Sequence, residues 1–284
     1  MIELNKLKLI AKGGQADIYE LDKGRVIRVL RNRHEEEQLK TEMSVMNSLR
    51  EKGKAVPEVY EYLKIDERPA LIMEKLNGIS MLEAITKKPL YILKQAEKLA
   101  KLHMETSDSA EGLELISINA RAAYLIKNSS LFSEDIKKFI LDILEKMPEE
   151  NDICHGDFHP GNIIIMGDKY YVIDWFGATK GKKLSDIAHT YIILRNTPEI
   201  PGISNLQRFI IASSVGMISK RYLSTCYKLE AFDYGELSRW MVIRAAERVV
   251  YGEKFEKYAL IKFIERCMKA KAKEINEEAW WKLL

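Results

Sequence analysis

His155-Gly156-Asp157-Phe158-His159-Pro160-Gly161-Asn162, with Val172-Ile173-Asp174-Trp175-Phe176-Gly177 shortly after it, is the stretch that decides how this chain is read. Its pattern is H-x-D-x-x-x-x-N, then an apolar strand that ends in Asp. One set of chemical demands accounts for that spacing. A carboxylate accepts or orients the proton of an attacking hydroxyl, a carboxamide oxygen reaches Mg²⁺ from the same rigid loop, and a second carboxylate holds the metal from a neighbouring strand. On this reading Asp157 is the base, and Asn162 and Asp174 are the metal ligands. A plain polar turn between buried strands also uses Gly, Asp, Asn and Pro. The joint order of the residues between apolar runs is what favours the site.

The residues around the motif fit that geometry. Ile163-Ile164-Ile165 and Tyr170-Tyr171-Val172-Ile173 read as two strands joined across Gly167-Asp168. Such a hairpin presents Asn162 at one end and Asp174 at the other.

The order matches the protein-kinase signature H-R-D-L-x-x-x-N followed by D-F-G. More closely, His155-Gly156-Asp157 with His159-Pro160-Gly161-Asn162 and Ile173-Asp174-Trp175 resembles the aminoglycoside phosphotransferase and choline kinase-like family. That family has the protein-kinase fold and phosphorylates small molecules. Protein kinases usually carry Arg at the position of Gly156, where it meets a phosphorylated activation loop. The resemblance therefore implies a small-molecule kinase. It also implies an α+β, bilobal protein-kinase-like fold. The N-lobe, residues 1–77, holds a five-stranded antiparallel sheet and one helix, and the C-lobe, 78–284, is mainly helical with the catalytic-loop hairpin.

Composition sets the outer bounds. A chain of 284 residues suffices for two lobes and not for several independent domains. A net charge of +3 makes no demand for nucleic acid or an anionic membrane. Cys154, Cys226 and Cys267 are far apart and lack metal-ligand spacing, which suits a reducing cytoplasm. The first residues do not read as a signal peptide, and no uncharged apolar run approaches the ~20 residues of a spanning helix. The expectation is a cytoplasmic protein with no membrane partner.

In the first 77 residues, strands are expected over 6–10, 18–21, 26–30, 59–63 and 70–73, with a helix from about Glu35 to Lys52. Gly13-Gly14, between the first two strands, lays backbone N–H groups over phosphates on one reading and is an ordinary hairpin turn on the other. The full G-x-G-x-x-G is absent. Arg28 stands in Val26-Ile27-Arg28-Val29 where the signature has V-A-I-K, and a guanidinium grips phosphate with a fork of donors. The resemblance implies that small-molecule members use Arg there, and that Glu42 of the helix pairs with it. Glu35, Glu36 and Glu37 are rivals placed in the first turn, where acids favour the helix dipole. By the same resemblance 74–78 is the hinge, with the Glu74 carbonyl and the Leu76 N–H on the adenine.

Beyond Gly78 the pattern is helical, over Pro89–Thr106, from Ser133 to a stop at Pro148, from Asp233 through Val250, and near Ala259–Lys273. His103 falls on a core stripe. His155 is expected to support the loop backbone, His159 to act structurally or on phosphate, and Asp186 to cap a helix or brace the loop. After Gly177 the net charge is roughly +7, which disfavours a polycationic acceptor. Tyr191, Tyr222, Trp240 and Tyr251 either pack helices or stack on a ligand. The function expected is Mg²⁺-dependent transfer of the ATP γ-phosphate, with GTP left open, to a hydroxyl of a small molecule: a sugar, amino alcohol, choline-like compound or aminoglycoside. Two rivals stand beside it, a nucleotide-binding module without turnover and a protein serine/threonine kinase. The retained Asp157, Asn162 and Asp174 argue against the first. Gly156, a short segment after the metal loop and a missing A-P-E argue against the second.

Overall fold

A computed structural model describes residues 2–88, 91–196 and 205–284. The chain opens with a single 3-10 turn at Leu4–Lys6, then β1 (Lys8–Lys12), β2 (Ala16–Glu20) and β3 (Arg25–Leu30). Helix α1 (Glu36–Glu51) follows, then β4 (Val59–Ile65) and β5 (Arg68–Glu74). Next come β6 (Ile79–Ser80), α2 (Met81–Lys87), α3 (Ile92–Thr106), α4 (Ile118–Asn128) and α5 (Glu134–Leu144). Strands β7 (Asp152–Cys154), β8 (Ile163–Met166), β9 (Lys169–Val172) and β10 (Thr179–Gly181) bracket the motif. Helices α6 (Lys183–Arg195), α7 (Asn205–Leu229), α8 (Tyr234–Tyr251) and α9 (Lys254–Ala272) follow, and a 3-10 segment at Glu277–Leu283 comes after them.

Two compact units result. The first comprises Met1–Lys87, Gly112–Leu115 and Pro160–Ala178; the second comprises the remaining residues. The first unit is the five-stranded antiparallel sheet expected from the sequence, in the order β1-β2-β3-β5-β4. The central strand β3 alternates little and is buried from Val26 to Leu30, as befits a strand covered on both faces. On one face Ala16, Leu30 and Leu71 pack with Leu39 of α1 and with Phe176. On the other, Ile27, Val29, Ile65, Ala70 and Ile72 form a separate core. A second small sheet, β6-β8-β9, belongs to the same unit. Its β8–β9 hairpin pairs Ile163 with Val172 and Met166 with Lys169, and Gly167 supplies the positive φ of the turn. Gly78 is glycine for a different reason. A Cβ there would lie 2.8 Å from Ile164 Cγ2 and closer still to the Ile165 carbonyl.

The second unit is helical and built around α8, which is buried on nearly every side and packs against α4, α5, α6 and α9. The two-stranded β7–β10 sheet completes it. Helices α5 and α8 begin where side-chain caps accept orphan N–H groups: Ser133 from Ile136 (3.4 Å) and Asp233 from Glu236 (2.6 Å).

Several boundaries differ from the sequence expectation. The first strand is displaced to Lys8–Lys12 because Leu4–Lys6 coil into the opening turn. Helix α9 starts at Lys254, not near Ala259, because Glu253 and Glu256 form a reciprocal capping box. Glu236 does not reciprocate the Asp233 cap, since its carboxylate accepts from Trp240 Nε1 (3.3 Å). Helix α3 is seen from Ile92, and Pro89 lies outside the described residues. Among the described residues no helix is long and apolar enough to cross a membrane. All three cysteines are buried thiols.

Candidate active site

The sheet unit assembles one half of the motif. Arg28 sits mid-strand in β3, paired in register with Ile18 and Leu71, so its backbone is fixed from both sides. Its side chain is only 10% exposed. The guanidinium donates through Nη1 to Glu42 Oε2 and through Nη2 to Asp174 Oδ1 at 3.2 Å. It also lies over the Phe176 ring, 5.4 Å from the centroid. Of the four acids near the start of α1, Glu42 is therefore the partner, and it is buried where the others are not. Burial raises the Glu42 carboxyl to about 7, against the pull of Arg28. Burial likewise opposes the charge on Arg28, but Glu42 and Asp174 outweigh it and hold the guanidinium above its ordinary pKa.

Asp174 follows β9 in a left-handed conformation, φ 65 and ψ 61. A non-glycine residue there costs about 1 kcal/mol or more and persists only where surroundings impose it. Here Phe176 is locked into the sheet core, and Gln38 Nε2 of α1 donates to the Phe176 carbonyl at 2.9 Å. The bend turns the Asp174 carboxylate, 41% exposed, toward Arg28. At the other end of the hairpin the Asn162 carbonyl accepts from Ile173 N at 3.0 Å, which holds the two candidate ligands at adjoining ends. A carboxylate and a carboxamide offer oxygen donors alone, the set that suits a hard divalent cation. The residues fit Mg²⁺.

The remaining sheet-unit candidates are more loosely held. Gly13 and Gly14 form the exposed β1–β2 turn, closed by Gly13 N donating to Ala16 O at 2.8 Å. Glu74 ends β5 with its side chain turned back onto Glu58 N (3.2 Å), and Leu76 lies half-buried in the irregular segment that follows.

The helical unit holds the other half. The boundary between units falls between His159 and Pro160, inside the motif itself. Asp157 is 47% exposed on its side chain, and His159 Nε2 lies 3.5 Å from its Oδ2. Burial pushes the Asp157 carboxyl up, but the His159 hydrogen bond and the charges of His159, His155 and Arg248 outweigh it. The net shift is below the ordinary carboxylate value. Asp157 is thus a carboxylate, not an acid, at neutral pH.

Asp186, in the first turn of α6, braces the loop from beneath. Its Oδ2 accepts from His155 N (2.6 Å) and its Oδ1 from Gly156 N (3.0 Å). The cap position of α6 is Lys182, so Asp186 serves the loop and not the helix end. His103 Nε2 adds a contact to Asp186 Oδ2 at 3.0 Å, with its Nδ1 2.5 Å from the Tyr222 hydroxyl. The His103 ring stacks on Phe158 at 4.1 Å. His155 turns its Nδ1 to the Asp157 N–H at 3.2 Å. Every residue from His155 to Phe158 is therefore tied down within this unit. Sequence reasoning did not foresee the Gln38–Phe176 hydrogen bond, the contact of the Tyr222 hydroxyl with His103 or the Phe158–His103 stack. Nothing local marks them, because each acts on a partner more than fifty residues away.

Comparison with known proteins places these features in context. The profile of a family described as "APH: Phosphotransferase enzyme family" matches residues 6–217. No curated protein matches the sequence. Among solved structures, a thermostable mutant of aminoglycoside phosphotransferase APH(4)-Ia, in complex with AMP-PNP and hygromycin B, is similar with a TM-score of 0.60. It is 14% identical, over 98% of this chain and 93% of that one. A choline/ethanolamine kinase family protein from Mesorhizobium loti gives 0.60 and 14%, over 98% and 92%. The GDP complex of aminoglycoside 2'-phosphotransferase-IIIa gives 0.59 and 11%, over 94% and 93%. At such identities these likenesses show the fold, which is kinase-like.

Proposed function

Since the chain belongs to the APH phosphotransferase enzyme family, we propose that it transfers the γ-phosphoryl group of ATP, with Mg²⁺, to a hydroxyl of a small molecule. The observation that carries this reading is Arg28, buried in β3 and held between Glu42 and Asp174. A structural strand has no use for a buried cation tied to two acids from distant parts of the chain. A phosphate grip beside a metal ligand does.

In the proposed reaction the acceptor hydroxyl faces Asp157, whose carboxylate orients it and takes its proton. The acceptor oxygen forms a bond to the γ-phosphorus as the bond from that phosphorus to the β–γ bridging oxygen breaks, and ADP leaves with the bridging oxygen. Arg28, aimed by Glu42, grips the phosphates, and the Gly13-Gly14 turn covers them with backbone N–H groups. The Glu74 carbonyl and the Leu76 N–H take the adenine edge. Asn162 and Asp174 would hold Mg²⁺, which when bound neutralises phosphate charge. His155 and Asp186 keep the loop in one conformation, so that catalysis is mostly positioning. The test is nucleotide consumption, with ATP and GTP in parallel, across hydroxylated metabolites and aminoglycosides. A compound that stimulates turnover in the wild type and not in Asp157→Ala supports the reading.

A further inference from the structure

Tyr222 of α7 is fully buried, and its hydroxyl lies 2.5 Å from Nδ1 of His103 in α3, the helix that packs against α7. The other ring nitrogen of His103, Nε2, lies 3.0 Å from Asp186 Oδ2. That oxygen also accepts from His155 N at 2.6 Å, and Asp186 Oδ1 accepts from Gly156 N at 3.0 Å. A continuous line of hydrogen bonds thus runs from a tyrosine in the helical core to the backbone of the motif loop. All of its members belong to the helical unit.

The chemistry of the members fixes the direction of each bond. Burial raises the Asp186 carboxyl, but His103, Arg244 and His155 outweigh it, so the group is ionised and only accepts. His103 Nε2 therefore carries a proton and donates. In the neutral ring this leaves a lone pair on Nδ1, and a buried lone pair calls for a donor. Tyr222 is that donor. Burial pushes its phenol well above the ordinary value, so the hydroxyl keeps its proton. Phe158, stacked on the His103 ring at 4.1 Å and 17°, fixes the plane of the ring but not which nitrogen bears the proton. Were the proton on Nδ1 instead, the Nε2 lone pair would face the Asp186 carboxylate. Two acceptors would then oppose each other in a buried site, and Asp186 would lose a support.

We infer that Tyr222 is a positioning residue: by holding His103 in the Nε2–H tautomer it keeps Asp186 on the His155 and Gly156 N–H groups, and so sets the loop that carries Asp157. This rests on the phosphotransferase reading for the role of Asp157. It goes beyond that reading because it extends the machinery to α7, which holds none of the nucleotide, metal or base residues. If Tyr222 only filled space, phenylalanine would serve as well.

The test is nuclear magnetic resonance of the full chain with isotope-labelled histidine nitrogens, His103 being identified by the proximity of its ring protons to Phe158. In the wild type the ring should show a protonated Nε2 and an unprotonated Nδ1. A protonated Nδ1, alone or together with Nε2, overturns the inference without recourse to any variant. Tyr222→Phe keeps the aromatic ring and removes only the hydroxyl, and its His103 should show both tautomers. Amide exchange at His155 and Gly156 should then quicken about tenfold, while β3 and β5 of the sheet unit exchange as before. In turnover of ATP the variant should lower kcat about tenfold at an unchanged KM for ATP, because the loop places the base and not the nucleotide. A single Nε2–H tautomer in Tyr222→Phe, wild-type exchange at both amides, or a change confined to KM overturns the inference. A separate titration of the wild type with Mg·ADP keeps the two claims apart. Failure to bind nucleotide refutes the phosphotransferase reading, whereas nucleotide binding with unchanged exchange at His155 and Gly156 in the variant refutes the role of Tyr222 alone.

Discussion

Asp186→Asn is the substitution whose consequence the structure defines best. The wild-type carboxylate accepts three hydrogen bonds, from His155 N, Gly156 N and His103 Nε2, at 2.6, 3.0 and 3.0 Å. An asparagine can keep its oxygen where Oδ2 stands, but its NH₂ then opposes the Gly156 N–H. One buried donor loses its partner, at about 1–3 kcal/mol, and two charge-assisted bonds become neutral ones. The sum is about 2–4 kcal/mol, or a fall in Tm of roughly 5–15 °C for a chain of this size. The pH dependence follows from the direction of the shift. Burial raises the Asp186 carboxyl, but His103, Arg244 and His155 outweigh it, so its folded pKa lies below the unfolded value of 3.8. The folded protein then binds fewer protons here than the unfolded one, and the stabilisation is present above pH 3.8 and lost as pH falls through the folded value. Urea denaturation of both proteins from pH 7 down to pH 3 measures it. The gap between them should be largest at neutral pH and shrink below about pH 4. A gap under 0.5 kcal/mol at pH 7, or one that stays constant to pH 3, would refute the bracing role.

Other substitutions probe the remaining parts. Asp174→Asn should abolish Mg·ATP-dependent turnover while circular dichroism shows the fold intact; retained activity would sink the metal assignment. Glu42→Gln should lower kcat/KM about 10–100-fold, a loss of about 1.4–2.7 kcal/mol, because Arg28 is no longer aimed. Unchanged kinetics would make the ion pair structural only. Gly78→Ala should lower stability by about 1–3 kcal/mol in chemical denaturation, since β8 must move away from the new methyl.

How much of this was legible depended on how local each device is. The β8–β9 hairpin could be read because its turn residues and its apolar runs adjoin in sequence. Arg28 could be read because β3 has a strand pattern with one charge in it. Glu42 was named as the partner of Arg28 over Glu35, Glu36 and Glu37 by resemblance alone, and it is the one of the four that is buried in α1. The bend at Asp174 could not be foreseen, because Phe176 and Gln38 impose it from across the sheet unit. Asp186 was legible only as a brace or a cap, and the choice between them depended on how α6 lies beneath the loop. In α8 the sequence marks a helix running through Trp240, Ile243 and Val250, and nothing local says what the face carrying Arg244, Glu247 and Arg248 meets. Helices α4, α6 and α9 cover that face, and only packing reveals that its charges are buried.

The central claim is that Asp157 serves a phosphoryl transfer that begins with Mg·ATP. Its most direct test is acceptor-dependent release of ADP by the wild type and by Asp157→Ala, with and without Mg²⁺, across acceptors of each charge class. The account predicts that at least one hydroxyl compound stimulates release in the wild type with Mg²⁺, and that Asp157→Ala removes the stimulation while still binding nucleotide. Full stimulation in Asp157→Ala, or no binding of ATP or GTP by the wild type, would contradict it.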